Sequence, residues 1–241
     1  MHRFFKTRFL QIFIICIYVF PAHAQNSLGE EQSLYNYVKE QYKTSDILVN
    51  GKELFPDDPR INNYPYLFTE NWIAADIYIK GEVFYNELIR YNLYSDQLVL
   101  QFYQEQTLPK AIILDNQLVD SVDVNGHMLV SVFRLGFSDI DRSFVELIES
   151  GEMRYCIAYY KDYIRMYSTL DPYGKYSELK TNKYLFRNGK SFKANNRRQF
   201  LRAFPDSKRE IRRFLRRNNM KYKNATTSQI STLIEFCNEL D

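Results

Sequence analysis

Apolar positions along this chain follow three successive patterns, which predict an export signal, a β-rich middle and a helical end. The first pattern is an almost wholly apolar run from Phe9 to Phe20, which follows three basic residues and ends at Pro21. A helix of that length spans about 18 Å, less than the roughly 30 Å of a bilayer core. A small-x-small sequence occupies 22–24. The pattern predicts a signal peptide at residues 1–24, with an uncleaved membrane anchor as the alternative.

The segment after the signal peptide, residues 25–65, is predicted to form an N-terminal helix and a loop. Apolar side chains recur at helical spacing within 30–43, which indicates a short amphipathic helix. Asn50-Gly51 is typical of a tight turn. The stretch 55–65 is rich in proline, aspartate and asparagine, which favours a loop.

The middle of the chain, residues 66–192, alternates apolar and polar positions with a period of two. Two alternating runs flank the polar sequence 94–97 and predict a hairpin. Further turns are predicted at Asn125-Gly126, Ser150-Gly151 and Asn188-Gly189. Short strands between tight turns predict an α+β protein built on an antiparallel β-rich meander. Its form is either a sandwich or a partly open barrel.

The last pattern, in residues 193–241, predicts a three-helix segment packed on or beside the β-rich domain. Asn196, Ser207 and Thr226 each stand where a helix cap is expected before an apolar stripe. Ser207 and Thr226 are followed three residues later by Glu and Gln, so each also matches a capping box.

The net charge of the chain changes once the signal peptide is removed. The full chain has a net charge of +3, whereas residues 25–241 hold 29 basic and 29 acidic side chains. Residues 187–223 hold 14 Lys and Arg against two acidic residues, while 25–186 carry a net charge of −9. The densest basic cluster lies on one predicted helix and supplies the candidate partner-binding residues: Lys208, Arg209, Arg212, Arg213, Arg216 and Arg217.

Three interpretations of this basic cluster stay open. In the first, the basic helices dock against the acidic β-rich region or form a solvated face. In the second, they bind an anionic partner, such as an envelope protein, a polysaccharide or anionic lipid headgroups. Nucleic acid is the third and least favoured, because export separates the chain from most nucleic acid and no recognition motif occurs.

The residue types of the chain give little support for a catalytic function. His127 is the one histidine after residue 24, and polar residues are expected in the turn beside it. Glycine-rich phosphate loops, HExxH and CxxC do not occur, and Asp115, Asp120 and Asp123 miss the calcium-loop spacing. The sequence predicts a non-enzymatic protein with no cofactor and no metal site. A hydrolase that uses two carboxylates is the weaker alternative.

Two further questions stay open at this level. Cys156 and Cys237 form either a disulfide, which an oxidising compartment permits, or two buried thiols. Most of the 38 Tyr and Phe residues are expected in the core and in cross-strand pairs. A curved sheet rich in aromatic residues also suits a carrier of a lipid or other apolar ligand, which is an alternative function.

Four segments of the chain resemble sequence patterns of a known family, and they include a hairpin with the sequence YSDQL and a basic helical end. They are DILVNGKELF (46–55), GEVFYNELIRYNLYSDQLVL (81–100), FVELIESGEMRYCIAYYK (144–161) and KYLFRNGKSFKANNRRQFLRAFPDSKREIRRFLRRNNMKY (183–222). Together they resemble a family of exported proteins of unknown function from Bacteroidota. The resemblance implies an exported α+β protein that is periplasmic or outer-membrane-associated. It implies no activity and no site residues.

Overall fold

The computed structural model describes Ser33 and residues 51–54, 58–102, 108–150 and 152–240. All of these except Ser33 belong to one compact unit, Thr44–Asp241. The predicted signal peptide at 1–24 lies outside the described residues. So does the predicted helix at 30–43, apart from Ser33.

Short antiparallel strands are the main regular structure of the described chain. The strands are β1 (Lys52–Glu53), β2 (Ile73–Ile79), β3 (Glu82–Asn92), β4 (Gln97–Phe102), β5 (Lys110–Ile113), β6 (Val119–Val124), β7 (His127–Ser131), β8 (Phe144–Ser150), β9 (Met153–Tyr160), β10 (Tyr163–Ile164), β11 (Lys175–Tyr176), β12 (Lys180–Arg187) and β13 (Lys190–Lys193). The predicted antiparallel, β-rich class is confirmed.

Eleven of the described strands form one sheet, in the order β1-β5-β4-β3-β2-β6-β7-β8-β9-β12-β13. The remaining two, β10 and β11, pair only with each other. The eleven strands share a single sheet that is not closed, and the choice between a sandwich and a partly open barrel stays a prediction. Strand β2 lies between β3 and β6, and this pairing joins the first part of the sheet to the second.

Local turn chemistry explains the hairpins. Asn125 and Gly126 join β6 to β7 with φ angles of 53° and 83°, and Asn188 and Gly189 join β12 to β13 with 51° and 69°. Positive φ at both central residues is the geometry that Asn-Gly favours, so these two predictions are confirmed. Strands β3 and β4 pair around the predicted polar turn. Strands β8 and β9 also pair as predicted, although Gly151 lies outside the described residues.

Four α-helices are described, three of them after the sheet. They are α1 (Val132–Leu135), α2 (Arg197–Phe200), α3 (Lys208–Arg217) and α4 (Thr227–Asn238), with 3₁₀ turns at Leu201–Ala203 and Tyr222–Asn224. Asn196 caps α2 and Thr226 forms a capping box on α4, as predicted. The capping box at Ser207 is wrong. Its φ and ψ of −99° and 13° are not the extended backbone of a cap, and its side chain caps no amide.

The three C-terminal helices bury their apolar stripes against one face of β8, β9 and β12. Strand β9 shows the alternation that sets the two faces. Tyr155 and Ile157 point into the cluster under the helices, whereas Cys156 and Ala158 join a second cluster on the opposite face. Cys237 is on α4 and belongs to the cluster between the helices and the sheet, so the two sulfurs are on opposite sides of the sheet. The disulfide is therefore wrong, and both cysteines are buried thiols.

Candidate functional site: a basic groove in the C-terminal helices

The six predicted partner-binding residues all lie on α3. Ile211 and Leu215 are fully buried on one side of this helix, and Phe214 stacks on Phe236 of α4 with ring centroids 4.3 Å apart. The apolar residues therefore attach α3 to the core and turn its charged residues outward. Five of the six basic residues are exposed, and Lys208 is half-buried.

The charges of α3 take no part in this attachment. Among the residues that the structure describes, none of the six lies in an ion pair with a carboxylate. One of them, Arg216, hydrogen bonds within the helix, where its Nε donates to the backbone oxygen of Arg212 at 3.4 Å. Among the described residues, apolar contacts therefore account for the attachment of this helix.

A cavity of about 500 Å³ opens between α2 and α3. We call it the basic groove and define it by the residues that line it: Asn196, Arg197, Arg198, Leu201, Arg202, Lys208 and Arg212. Five of these seven side chains are cationic and none is acidic. Leu201, which is buried, is the one apolar residue among these seven.

Only two of the six predicted partner-binding residues line the basic groove, and three further arginines line it with them. Lys208 and Arg212 line it, whereas Arg209, Arg213, Arg216 and Arg217 lie elsewhere on the exposed surface of α3. Sequence reasoning missed Arg197, Arg198 and Arg202. The turn at 205–207 folds the chain back, so these three residues face Lys208 and Arg212 across the groove. The i,i+4 spacing of Arg198 and Arg202 was the one sequence signal for a second basic row.

Buried aromatic rings fix the α2 side of the groove. Phe200 and Phe204 are almost fully buried, and Phe200 lies 5.2 Å from the rings of both Phe204 and Tyr222. Arg187 donates from Nη1 to the backbone oxygen of Ala203 at 2.6 Å, which holds the 3₁₀ turn against the end of β12. The backbone that carries the groove arginines is therefore anchored in the core.

Part of the charge pattern of α3 opposes its own stability, although Glu210 in the first turn and Arg216 and Arg217 in the last turn interact favourably with the helix dipole. Lys208 and Arg209 are its first two residues, and the helix dipole disfavours cations there by about 0.3–1 kcal/mol at low ionic strength. Lys208 and Arg212, like Arg212 and Arg216, are like charges at i,i+4, a spacing at which each such pair costs about 0.2–0.5 kcal/mol. A bound anion would relieve this repulsion.

His127 has a partner that the sequence did not reveal. Its Nδ1 lies 2.7 Å from Oε1 of Glu146, a side chain only 2% exposed, and the hydroxyl of Tyr159 donates to the other carboxylate oxygen. Burial and the contact with Glu146 raise the pKa of Tyr159. Among the described residues the side chain of His127 makes no further hydrogen bond, so no serine or cysteine is held against its ring as a nucleophile. The arrangement supplies donors to a buried carboxylate.

The three aspartates that missed the calcium spacing have separate partners. Asp115 accepts from the backbone N of Gln117, and Asp123 accepts from that of Gly126. Asp120 forms an ion pair with Arg134 at 2.6 Å. Within the described part of the chain, no group of three or more His, Cys, Asp or Glu residues is placed to hold a metal ion.

Comparison with known proteins adds no relative: no family model, no curated protein and no solved structure matches this chain. None of the helices that the structure describes combines the length and apolarity needed to cross a bilayer.

Proposed function

We propose that this chain is an exported cell-envelope protein that acts without catalysis, as a β-rich scaffold that binds an anionic partner through its basic C-terminal helices. One observation carries the proposal. The basic side chains of α3 are exposed, and none is paired with a carboxylate among the described residues. A one-signed surface of this kind attracts counter-charged partners over distances of about a Debye length.

The cell envelope is supported by the predicted signal peptide and by the resemblance to exported Bacteroidota proteins. Both support a location in the periplasm or at the outer membrane, where phosphorylated lipids, acidic polysaccharides and acidic proteins would be candidate partners. Signal peptidase would leave a chain that begins at Gln25. Intact-mass measurement of the protein from the envelope fraction tests this point, and a chain that retains residues 1–24 would contradict cleavage.

Retention in the envelope fraction tests the binding surface. The full chain is expressed in a Gram-negative host, and the envelope fraction is washed with rising salt. We expect a variant with Arg212, Arg213, Arg216 and Arg217 changed to Gln to elute at lower salt than the wild type, because surface charge attraction is screened by salt. The fold is expected to survive, because these side chains are exposed and the changes remove like-charge pairs.

A charge-matched control separates the surface from net charge. Lys52, Lys80, Lys110 and Lys190 are exposed lysines of the β-rich region. Changing all four to Gln removes the same total charge, and we expect this variant to elute like the wild type. Equal elution of the arginine variant and the wild type would contradict the proposed function.

A further inference from the structure

We propose that the basic groove is a binding site for a ligand that carries two neighbouring phosphate groups, such as a bisphosphate or a diphosphate. The inference rests on the proposed function, since it names the chemistry that this same surface recognises. It goes further by locating recognition in Arg197, Arg198, Arg202, Lys208 and Arg212, of which only the last two belong to α3.

The positive charge of the basic groove sets the number of negative charges that the ligand must bring. Five cations and no carboxylate line a cavity of about 500 Å³, which lies within the usual size range of small-molecule sites. A single carboxylate would leave most of this charge uncompensated. A phosphate monoester brings about 1.5–2 negative charges at neutral pH, so two phosphate groups bring about three to four. This comes close to balancing the groove.

Side-chain type favours phosphate over other anions. Four of the five cations are arginines, whose planar guanidinium groups donate two parallel hydrogen bonds to the oxygens of one phosphate. The amide of Asn196 adds a neutral polar group, while its oxygen is already engaged by the backbone N of Gln199 at 3.0 Å. Among the described lining residues there is no aromatic ring on which a base could stack, so the groove suits phosphate groups better than a nucleic acid strand.

The groove is built before the ligand arrives. The aromatic anchor of Phe200 and Phe204 fixes one side, and the stack of Phe214 on Phe236 fixes α3 on the other. Binding then has to order only the exposed arginine side chains, which keeps the entropic cost low. The repulsion among Lys208, Arg209 and Arg212 is relieved at the same time, so ligand binding is expected to stabilise the fold.

Inorganic pyrophosphate is the direct probe. We titrate it into the purified protein, expressed from the full chain, by calorimetry, and follow the thermal unfolding midpoint in parallel. We expect saturable binding with one site and a rise in the midpoint. Arg202→Gln and Arg212→Gln should each weaken binding about tenfold or more, because each removes charge-assisted hydrogen bonds to phosphate.

The matched controls are Arg213→Gln and Arg217→Gln, which remove the same charge from α3 outside the groove. We expect these two variants to change the affinity by less than about threefold, since only screened, longer-range attraction is lost. Absence of saturable pyrophosphate binding would overturn the inference. So would equal weakening by Arg213→Gln and Arg212→Gln, because it would mean that the whole helix attracts anions without a groove.

Vesicles distinguish the two sources of the phosphate groups. One set contains phosphatidylcholine alone and the other adds phosphatidic acid, whose headgroup is a phosphate monoester. Binding to the second set that pyrophosphate displaces indicates a lipid headgroup, while pyrophosphate binding without vesicle binding indicates a soluble ligand; both support the groove. If Arg202→Gln binds pyrophosphate like the wild type while the four-arginine variant still loses envelope retention, the groove inference fails and the proposed function stands.

Discussion

The carboxylate of Asp96 accepts hydrogen bonds from both the backbone N and the Oγ of Ser143, each 2.9 Å long. Asp96 lies in the turn between β3 and β4 and belongs to the YSDQL sequence, whereas Ser143 immediately precedes β8. The hydroxyl of Tyr91 donates to the second carboxylate oxygen. The YSDQL sequence therefore joins two distant parts of the sheet, which is a structural role.

We expect Asp96→Ala to lower the free energy of unfolding by about 2–4 kcal/mol, because it leaves three donors around a partly buried carboxylate without their acceptor. Asp96→Asn should cost less, since Asn keeps one acceptor oxygen and tolerates the positive φ of 56° at this position. Urea denaturation provides the measurement. The control is Asp115→Ala, which removes an exposed carboxylate with one local hydrogen bond. Equal losses at the two positions would contradict the role of Asp96.

High pH is expected to weaken the contact between the sheet and the helices. Tyr155 on β9 lies 3.1 Å from the hydroxyl of Tyr222, which donates to the backbone oxygen of Ala194 at 2.7 Å. Burial raises the pKa of Tyr155 from 10 to about 12. The unfolded chain loses this proton near pH 10 and the folded protein does not. The stabilisation is therefore complete below pH 10 and falls as the pH rises from 10 to 12.

Tyr155→Phe removes this contribution. We expect the variant to lose about 2–3 kcal/mol less stability than the wild type between pH 10 and pH 12, in line with a shift of two pKa units. Denaturant titrations across this range measure the slope. Tyr167→Phe, at a side chain 68% exposed, serves as the control and should follow the wild type. A slope unchanged by Tyr155→Phe would refute the burial effect.

Arg212→Glu is expected to raise stability while it abolishes binding. The new carboxylate replaces like-charge pairs with Lys208, Arg209 and Arg216 by opposite-charge pairs. At about 0.4–1 kcal/mol per exchanged pair, the gain over the three pairs is about 1–3 kcal/mol at low ionic strength. Thermal or urea unfolding at low and high salt measures it, and high salt should remove most of the gain. A loss of stability at low salt would show that Arg212 supports the fold. A gain in stability with loss of binding is the behaviour of charges kept for function.

Local chemistry explains what the sequence could predict. The turns at Asn125-Gly126 and Asn188-Gly189 and the caps at Asn196 and Thr226 depend on a few neighbouring residues, and all four were predicted correctly. Ser207 failed because the turn that follows Phe204 determines its backbone angles, which a residue pattern does not express. The position of β2 between β3 and β6, like the single sheet, depends on pairings between distant segments.

The candidate site also has a part that the sequence could predict and a part that depends on the tertiary structure. Helical spacing predicted the charged side of α3, because the apolar residues Ile211 and Leu215 identify its buried side. The contribution of Arg197, Arg198 and Arg202 arises only when the chain turns at 205–207, so it required the tertiary structure. Glu146 beside His127 is a further case, since the two residues meet through the pairing of β7 with β8.

The salt dependence of binding to isolated envelopes is the decisive measurement for a basic binding surface on the C-terminal helices. The fraction of protein bound is measured from low to high salt for the wild type and for the variant with Arg212, Arg213, Arg216 and Arg217 changed to Gln. We expect the wild type to bind strongly at low salt and to lose binding steeply as the salt concentration rises. The variant should bind more weakly, and its binding should fall less steeply with salt. Identical affinities and slopes for the two proteins would contradict the basic binding surface.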